Sequence, residues 1–436
     1  MSFIAVSLFS NCGAGDVGFA AAGFEFAIMA ELQQRRLDVA LLNHPGAVGV
    51  VGDLTNTWLE VVEQYRQAHG DEPPALLTAC PPCQGMSSAR SGKGTHADAA
   101  AGSSDRRNLL VTVIEQVALE LKPRAIVVEN VQAFLSRRVV SPEDDKPITA
   151  AQLLISGLAD DYVAFPLTAD LANYGVPQTR RRAFLTFLRK EDVSASNLPP
   201  GTYPFPRRAS EPALSVVAAL RSFALSSLDA GSKEVAEDPI LGKMHSVPVW
   251  SPDRYRMVKA IPPGGSAWTN SSCESCGTVN EDLTVATCAN CGNRLLRPSV
   301  VDPDGSVRLV RGFRTSYSRM RVDQPAPTVT TASGHVGSDL TIHPTENRVL
   351  SPLECAMLQT FPSDFRWGEA LKRYGHTFVR EIIGEAVPPH FTALHGKVIA
   401  ALLTGDTGVA CAPASDSHTA ERLIRAAALA DGRSAT

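Results

Sequence analysis

Ala75-Leu76-Leu77-Thr78-Ala79-Cys80-Pro81-Pro82-Cys83-Gln84 is an apolar run that closes on two prolines and a thiol. The run has the length and composition of a buried strand. Proline fixes φ and has no N–H, so Pro81 and Pro82 present Cys83 on stiff backbone. A thiol held at the C-terminal end of a strand is a candidate nucleophile, because α/β sheets gather their chemistry at that edge. Outward from this run, residues 3–190 alternate between strand-like and helix-like stretches. Strands are predicted at Ile4–Phe9, Val39–Leu42, Ala75–Ala79, Ala125–Glu129, Tyr162–Leu167 and Ala183–Leu188, with helical patterns at Gly18–Gln34 and Leu109–Leu121. Such alternation predicts an α/β fold on a parallel sheet.

The chain has 436 residues, too many for one ordinary core, so two domains are expected. Hydrophobic content of 44% and charged content of 20% are those of a globular protein. A net charge of −4 excludes a uniformly basic nucleic-acid coat, so any such contact needs a local positive face. Phe3-Ile4-Ala5-Val6 follows the first methionine with no basic leader, and no apolar run reaches bilayer length. A cytoplasmic protein without membrane contact is the expectation. Nine cysteines, four of them in two close pairs, point to metal and catalysis in a reducing compartment.

Two stretches break the alternation. Residues 86–106 are small, polar and glycine-rich, and a loop of that length beside Cys83 suggests a lid. Asn197-Leu198-Pro199-Pro200-Gly201 reads as a linker, and regular alternation does not return until about residue 348. There Ser351 caps a helix with Pro352 at its first position. The expected boundaries are therefore 1–195, 196–345, 346–405 as a return to the first domain, and a tail at 406–436 with one helix at Thr419–Ala430.

Three further motifs carry chemistry. Phe9-Ser10-Asn11-Cys12-Gly13 joins a strand to a helix through glycine-rich backbone that lets a ligand approach closely. Glu129 ends the run Ala125-Ile126-Val127-Val128, and a glutamate there would be costly to bury unpaired. Gln178-Thr179-Arg180-Arg181-Arg182 supplies fixed positive charge, read most simply as a solvated basic run. Cys80-Pro81-Pro82-Cys83 is also formally a C-x-x-C redox pair, a reading in which Glu129 and Arg182 have no role.

Taken in order, these motifs resemble the DNA cytosine-5 methyltransferases over most of residues 3–400. The resemblance implies an S-adenosylmethionine-dependent methyltransferase (Rossmann-like) sheet with one antiparallel strand near its edge. It also implies a second, smaller target-recognition domain, into which a zinc ribbon that the family's core motifs do not require would be inserted. It implies that Cys83 adds to C6 of a flipped cytosine, that Glu129 engages N3 and the N4 amino group, and that Arg182 holds O2, with Arg180 in support. For the cofactor it implies Phe9, Ser10, Asn11, Cys12, Gly13, Glu31, Asp53, Leu54, Pro81, Glu385, Ala386 and Val387. The family usually has glycine where this chain has Asn11 and asparagine where it has Glu385. Double-stranded DNA is the implied partner, bound by a monomer. A bacterial restriction-modification or phage-defence setting is expected, with restriction or phage-defence proteins as possible companions. RNA cytosine methylation on the same scaffold is the neighbouring reading, and an inactive zinc-containing DNA-binding regulator is the distant one.

Cys273-Glu274-Ser275-Cys276 and Cys288-Ala289-Asn290-Cys291, each followed by glycine, are two knuckles of a zinc ribbon at about 268–298. Four thiolates leave no open position, so the expected Zn2+ is structural. Beyond it Arg308, Arg311, Arg314, Arg319 and Arg321 fall in a stretch without acidic residues, interleaved with Phe313 and Tyr317. That run is expected to contact DNA.

Overall fold

The computed structural model describes residues 3–82, 110–136, 138–140, 147–195, 198–312, 315–406 and 410–430. Seven strands form one sheet: β1 (Phe3–Leu8), β2 (Phe24–Glu31), β3 (Val48–Val51), β4 (Leu76–Ala79), β5 (Ala125–Asn130), β6 (Tyr162–Asp170) and β7 (Arg181–Arg189). Their order is β3-β2-β1-β4-β5-β7-β6. The first five are parallel, and β7 runs antiparallel to both β5 and β6. The central strands β4 and β5 are buried along their whole length, which is why they read as unbroken apolar runs.

Two elements trade places relative to the sequence reading. The expected helix over Gly18–Gln34 is a short helix α1 (Ala14–Ala21) followed by β2, and the expected strand Val39–Leu42 lies within helix α2 (Gln34–Asn43). Gly23, at φ 99, breaks the chain between α1 and β2. Beyond it Phe24 and Phe26 are buried on one face while Glu25 between them is exposed, a period of two, and a register shift at Ala27 then sends Ile28 and Met29 to opposite cores. In α2 the buried Arg36, Leu37, Val39 and Ala40 instead follow a helical stripe. Alanine, leucine and methionine suit either period, and contact with β1 and β3 decides it.

Helices cover both faces. Helix α3 (Leu54–His69) and helix α4 (Val111–Leu121) pack on one side, where Val61, Tyr65, Ile114 and Val117 join Leu77 and Ile126. On the other, helix α5 (Pro389–Thr404) packs against α1, with Phe391, Val398 and Ile399 beside Phe19 and Phe184. Helix α6 (Ala370–Glu385) precedes α5 and is interrupted at Gly375. Between residues 198 and 349 the chain is mostly irregular and has its own small core of Leu228, Trp250, Val258, Ile261, Ile342 and Val349.

The tail is more engaged than its sequence suggests. Cys411–Pro413 pairs antiparallel with Thr202–Pro206, and helix α7 (His418–Ala430) lays Ala420, Leu423 and Ile424 on the core near the β6 edge. Among the described residues no helix is long and apolar enough to cross a membrane.

Candidate active site

The C-terminal ends of β1, β4 and β5 converge on a cleft of about 510 Å³, open to solvent. Leu8, Phe9, Phe19, Phe184 and Val387 give it apolar walls, and Asn11, Asp16, Thr78, Cys80, Glu129 and Glu385 give it polar points.

Its floor is the turn after β1. Phe9, Asn11 and Gly13 all take positive φ, at 56°, 49° and 72°. Asparagine tolerates this left-handed region better than other side chains, so Asn11 can stand where glycine would otherwise be needed. Asn11 N–H donates to Glu31 Oε2 at 3.0 Å, and its Nδ2 donates to Ile382 O at 2.9 Å. Asn11 Oδ1 is buried and has no hydrogen-bond partner among the described residues. At Gly13 a Cβ would come within 3.0–3.2 Å of His44 and Ala40. Ser10 Oγ bonds back to Ser7 O and Ala30 O, both at 3.2 Å. The Cys12 thiol is buried, and burial pushes its pKa up to about 12, so it packs as a small hydrophobe.

Glu31, at the end of β2, accepts from Asn11 N and Gln33 N, and burial raises its pKa against the opposing pull of Arg36. Arg36 is held by Glu385, at 2.6 Å, and by Glu381. Glu385 is thus ion-paired with α2 at the rim of the cleft, where its charge is matched. Asp53 caps α3, accepting from Thr55 N at 3.0 Å, and the Leu54 side chain lies in the hydrophobic core. Glu31, Asp53 and Leu54 stand outside the lining of the cleft. Asp16 is a polar wall residue to which the sequence reading gave no role. It is buried, burial raises its pKa, and it accepts from Ser7 Oγ at 2.8 Å and Thr78 Oγ1 at 2.9 Å, tying β1 to β4. An acidic residue in the first turn of α1, after a strand serine, was the available signal.

The reactive end lies where β4 and β5 finish. Glu129 is 6% exposed. Its Oε1 stands 2.9 Å from Arg182 Nε, an ion pair outside hydrogen-bond alignment, and Oε1 has no hydrogen-bond partner among the described residues. Its Oε2 accepts from the Cys80 thiol at 2.9 Å. Asn130 Nδ2 donates to Pro81 O at 3.0 Å, fixing the segment that leads to Cys83. Cys83 itself and the expected lid at 86–106 lie outside the described residues, as do Phe313 and Arg314. Pro81 is buried beside the strand ends.

The two arginines of the basic motif part company. Arg182 faces Glu129, whereas Arg180 is 1% exposed and does not line the cleft. Its guanidinium donates to Val329 O at 3.2 Å, Gly384 O at 3.0 Å and Ala386 O at 2.9 Å. Arg180 therefore fastens the segment that carries Glu385, Ala386 and Val387 to the sheet. Arg319 corrects the reading of the downstream arginines in the same way. It is buried and donates to Ile261 O, His343 O and Val258 O at 2.9–3.1 Å, while Arg308, Arg311 and Arg321 are exposed.

The four remaining cysteines of interest meet in space. Cys273, Cys276, Cys288 and Cys291 bring their sulfurs within 4.8 Å of one another. The Cys273–Cys291 and Cys276–Cys288 separations are 3.6 and 3.7 Å. Gly277 and Gly292, at φ 73 and 71, turn each knuckle by donating to the carbonyls of Cys273 and Cys288, both at 2.9 Å. Arg297 is buried behind them, bonding the carbonyls of Asn270, Val285 and Asn280.

Comparison with known proteins is consistent across the chain. The family model for C-5 cytosine-specific DNA methylase matches residues 3–400. Type II methyltransferase M1.HgaI of Avibacterium volantium is 26% identical over 89% of this chain and 95% of its own length. M.AgeI of Thalassovita gelatinovora is 26% identical over 87% and 95%, and M.AquIA of Picosynechococcus is 31% identical over 41% and 69%. A crystal structure described as a prophage-encoded DNA modification methyltransferase from E. coli superposes with a TM-score of 0.55 at 21% identity, covering 92% of this chain and all of that one. Spodoptera frugiperda DNMT2 gives 0.50 at 14%, covering 92% and 100%. At those identities the two structures speak for a shared α/β methyltransferase fold.

Proposed function

The chain belongs to the C-5 cytosine-specific DNA methylase family and is a DNA cytosine methyltransferase, and from that premise we propose how it works: it methylates C5 of a cytosine flipped out of duplex DNA, through a covalent bond from Cys83 to C6. The observation that supports this most is the Glu129 carboxylate at the cleft, flanked by Arg182 and with one buried oxygen that no described residue hydrogen-bonds. The target atom is stacked inside the duplex, so extrusion is required, at a cost of a few kcal/mol.

The residues then divide the work. The Cys83 thiolate forms the bond to C6, and the electron pair moves from the C5–C6 bond toward the ring's N3–O2 side. Glu129 accepts from the N4 amino group and delivers a proton to N3, which neutralises the charge that gathers there, and the Arg182 guanidinium stabilises charge at O2. Once C5 carries the methyl group, its proton leaves to a base, the C5=C6 double bond is restored and the sulfur departs as thiolate. Arg180 takes part by position, through the carbonyls of Gly384 and Ala386.

S-adenosylmethionine, when bound, supplies an electrophilic methyl group. The residues fit it: Phe9 offers an apolar wall, Asn11 Oδ1 is a buried acceptor without a partner among the described residues, and Glu31 presents a carboxylate at the end of β2, where a ribose diol would sit. Ser10, Cys12, Gly13 and Pro81 shape the turn and the neighbouring strand end. Glu385, Ala386 and Val387 line the cleft, and Asp53 and Leu54 lie beyond it at the start of α3.

We read residues 1–195 with 346–405 as the catalytic body and 196–345 as the part that reads sequence. Within it the four cysteines would hold a structural zinc ion. Tetrahedral zinc with sulfurs at about 2.3 Å sets neighbouring sulfurs about 3.8 Å apart, close to the 3.6 and 3.7 Å separations here. The names of the relatives suggest a modification enzyme of a Type II restriction system. Bisulfite sequencing of DNA from cells expressing the chain tests the reading. Protected cytosines at one short motif are expected; conversion of every cytosine would overturn it.

A further inference from the structure

Cys80 has no part in the chemistry above, yet its thiol donates to Glu129 Oε2 at 2.9 Å. The contact follows from the sheet. Ala79 is paired with Val128 in the parallel register of β4 and β5, so the next residues of the two strands, Cys80 and Glu129, emerge side by side. The backbone of Cys80 is itself anchored, its N–H donating to Leu8 O. The terminal torsion of a glutamate is broad and two-fold, so one fixed oxygen sets the plane of the carboxylate. Arg182 does not supply that constraint, because its Nε sits 2.9 Å from Oε1 outside hydrogen-bond alignment. With Oε2 held by sulfur, Oε1 is the oxygen presented as a buried acceptor.

We propose that Cys80 is a positioning residue for Glu129: its S–H holds Oε2 so that Oε1 meets the N3–N4 edge of the extruded cytosine. This rests on the role given to Glu129 above. It assigns a task to the first thiol of the C-x-x-C, which a redox pair or a buried hydrophobe would leave unexplained. A hydroxyl at the same position can donate to Oε2; a methyl group cannot.

The test is steady-state methylation of a duplex carrying the motif found by bisulfite sequencing, with Cys80→Ala, Cys80→Ser and Glu129→Gln side by side. Loss of a hydrogen bond to a carboxylate predicts that Cys80→Ala lowers kcat about tenfold while KM for S-adenosylmethionine stays within about twofold. Cys80→Ser should recover kcat to within about threefold of the parent. Calorimetric cofactor binding checks that each variant is folded. If Cys80→Ala loses it, Cys80→Val, which fills the space without a donor, takes its place. Parental kcat in the donor-less variant overturns the proposal, as does a serine variant as slow as alanine. An effect confined to KM for the cofactor overturns it too. If Glu129→Gln is inactive while Cys80→Ala runs at full rate, only this inference fails. If Glu129→Gln keeps its rate, the role of Glu129 fails first.

Discussion

Replacing Arg180 with methionine probes the clamp that holds the 384–386 segment against the sheet. The buried guanidinium satisfies three carbonyls drawn from two distant segments, Val329 and the pair Gly384 and Ala386. Methionine matches the volume but donates nothing, so three hydrogen bonds are lost, and among the described residues only Ala386 O keeps a second donor, Gln359 Nε2 at 3.3 Å. At about 1 kcal/mol for each, the substitution should cost about 3 kcal/mol. For a body of some 250 residues that lowers the melting midpoint by roughly 6–12 °C. The affinity for S-adenosylmethionine should fall as well, by about tenfold, because Ala386 and Val387 follow the freed carbonyl. Arg180→Lys should fall between, since an ammonium has donors without the planar fork. Differential scanning fluorimetry with and without cofactor reads both effects. A methionine variant that melts with the parent and binds cofactor equally well would refute the reasoning.

Acid should release a second buried pair. Burial alone would raise the pKa of Glu354, but bidentate bonding to Arg348 at 2.7 and 2.8 Å overrides it and holds the carboxyl at about 2, against 4.5 for an ordinary glutamate. A depressed carboxyl contributes stability that is full above its unfolded value and is lost as pH falls toward the folded one, so about 3 kcal/mol should vanish between pH 4.5 and 2. Acid titrations of the parent and Glu354→Gln should converge in that window, and parallel curves would contradict the assignment. Zinc analysis of purified protein should give about one ion per chain, and none in Cys288→Ala; that variant should lose sequence-specific DNA binding while it still binds cofactor. Metal-free parental protein with full DNA binding would remove the ion from the account.

How far the sequence could be read depended on the range of the interactions. The strands β1, β4 and β5 were legible because burial on both faces turns them into continuous apolar runs. The meeting of four sulfurs was legible from spacing alone. The exchange of β2 and α2 was not, because Ala27, Met29, Ala40 and Leu41 fit both periods until neighbouring strands select one. Arginines were the least legible residues. Arg180, Arg297, Arg319 and Arg348 all look like surface charge in sequence, and all are buried. For Arg180 and Arg319 the carbonyl partners lie from 24 to more than 200 residues away. The contact between Cys80 and Glu129 depends on register between strands, which no local pattern encodes.

The central claim is that one sulfur attacks the base, and covalent trapping tests it most directly. A duplex carrying 5-fluorocytosine at the target position blocks loss of the C5 substituent, so the enzyme should remain attached to DNA once the methyl group has been transferred. Peptide mapping of that complex should place the nucleotide on Cys83, with no complex formed by Cys83→Ser. A nucleotide found on Cys80, or a stable complex in the Cys83→Ser variant, would contradict the account.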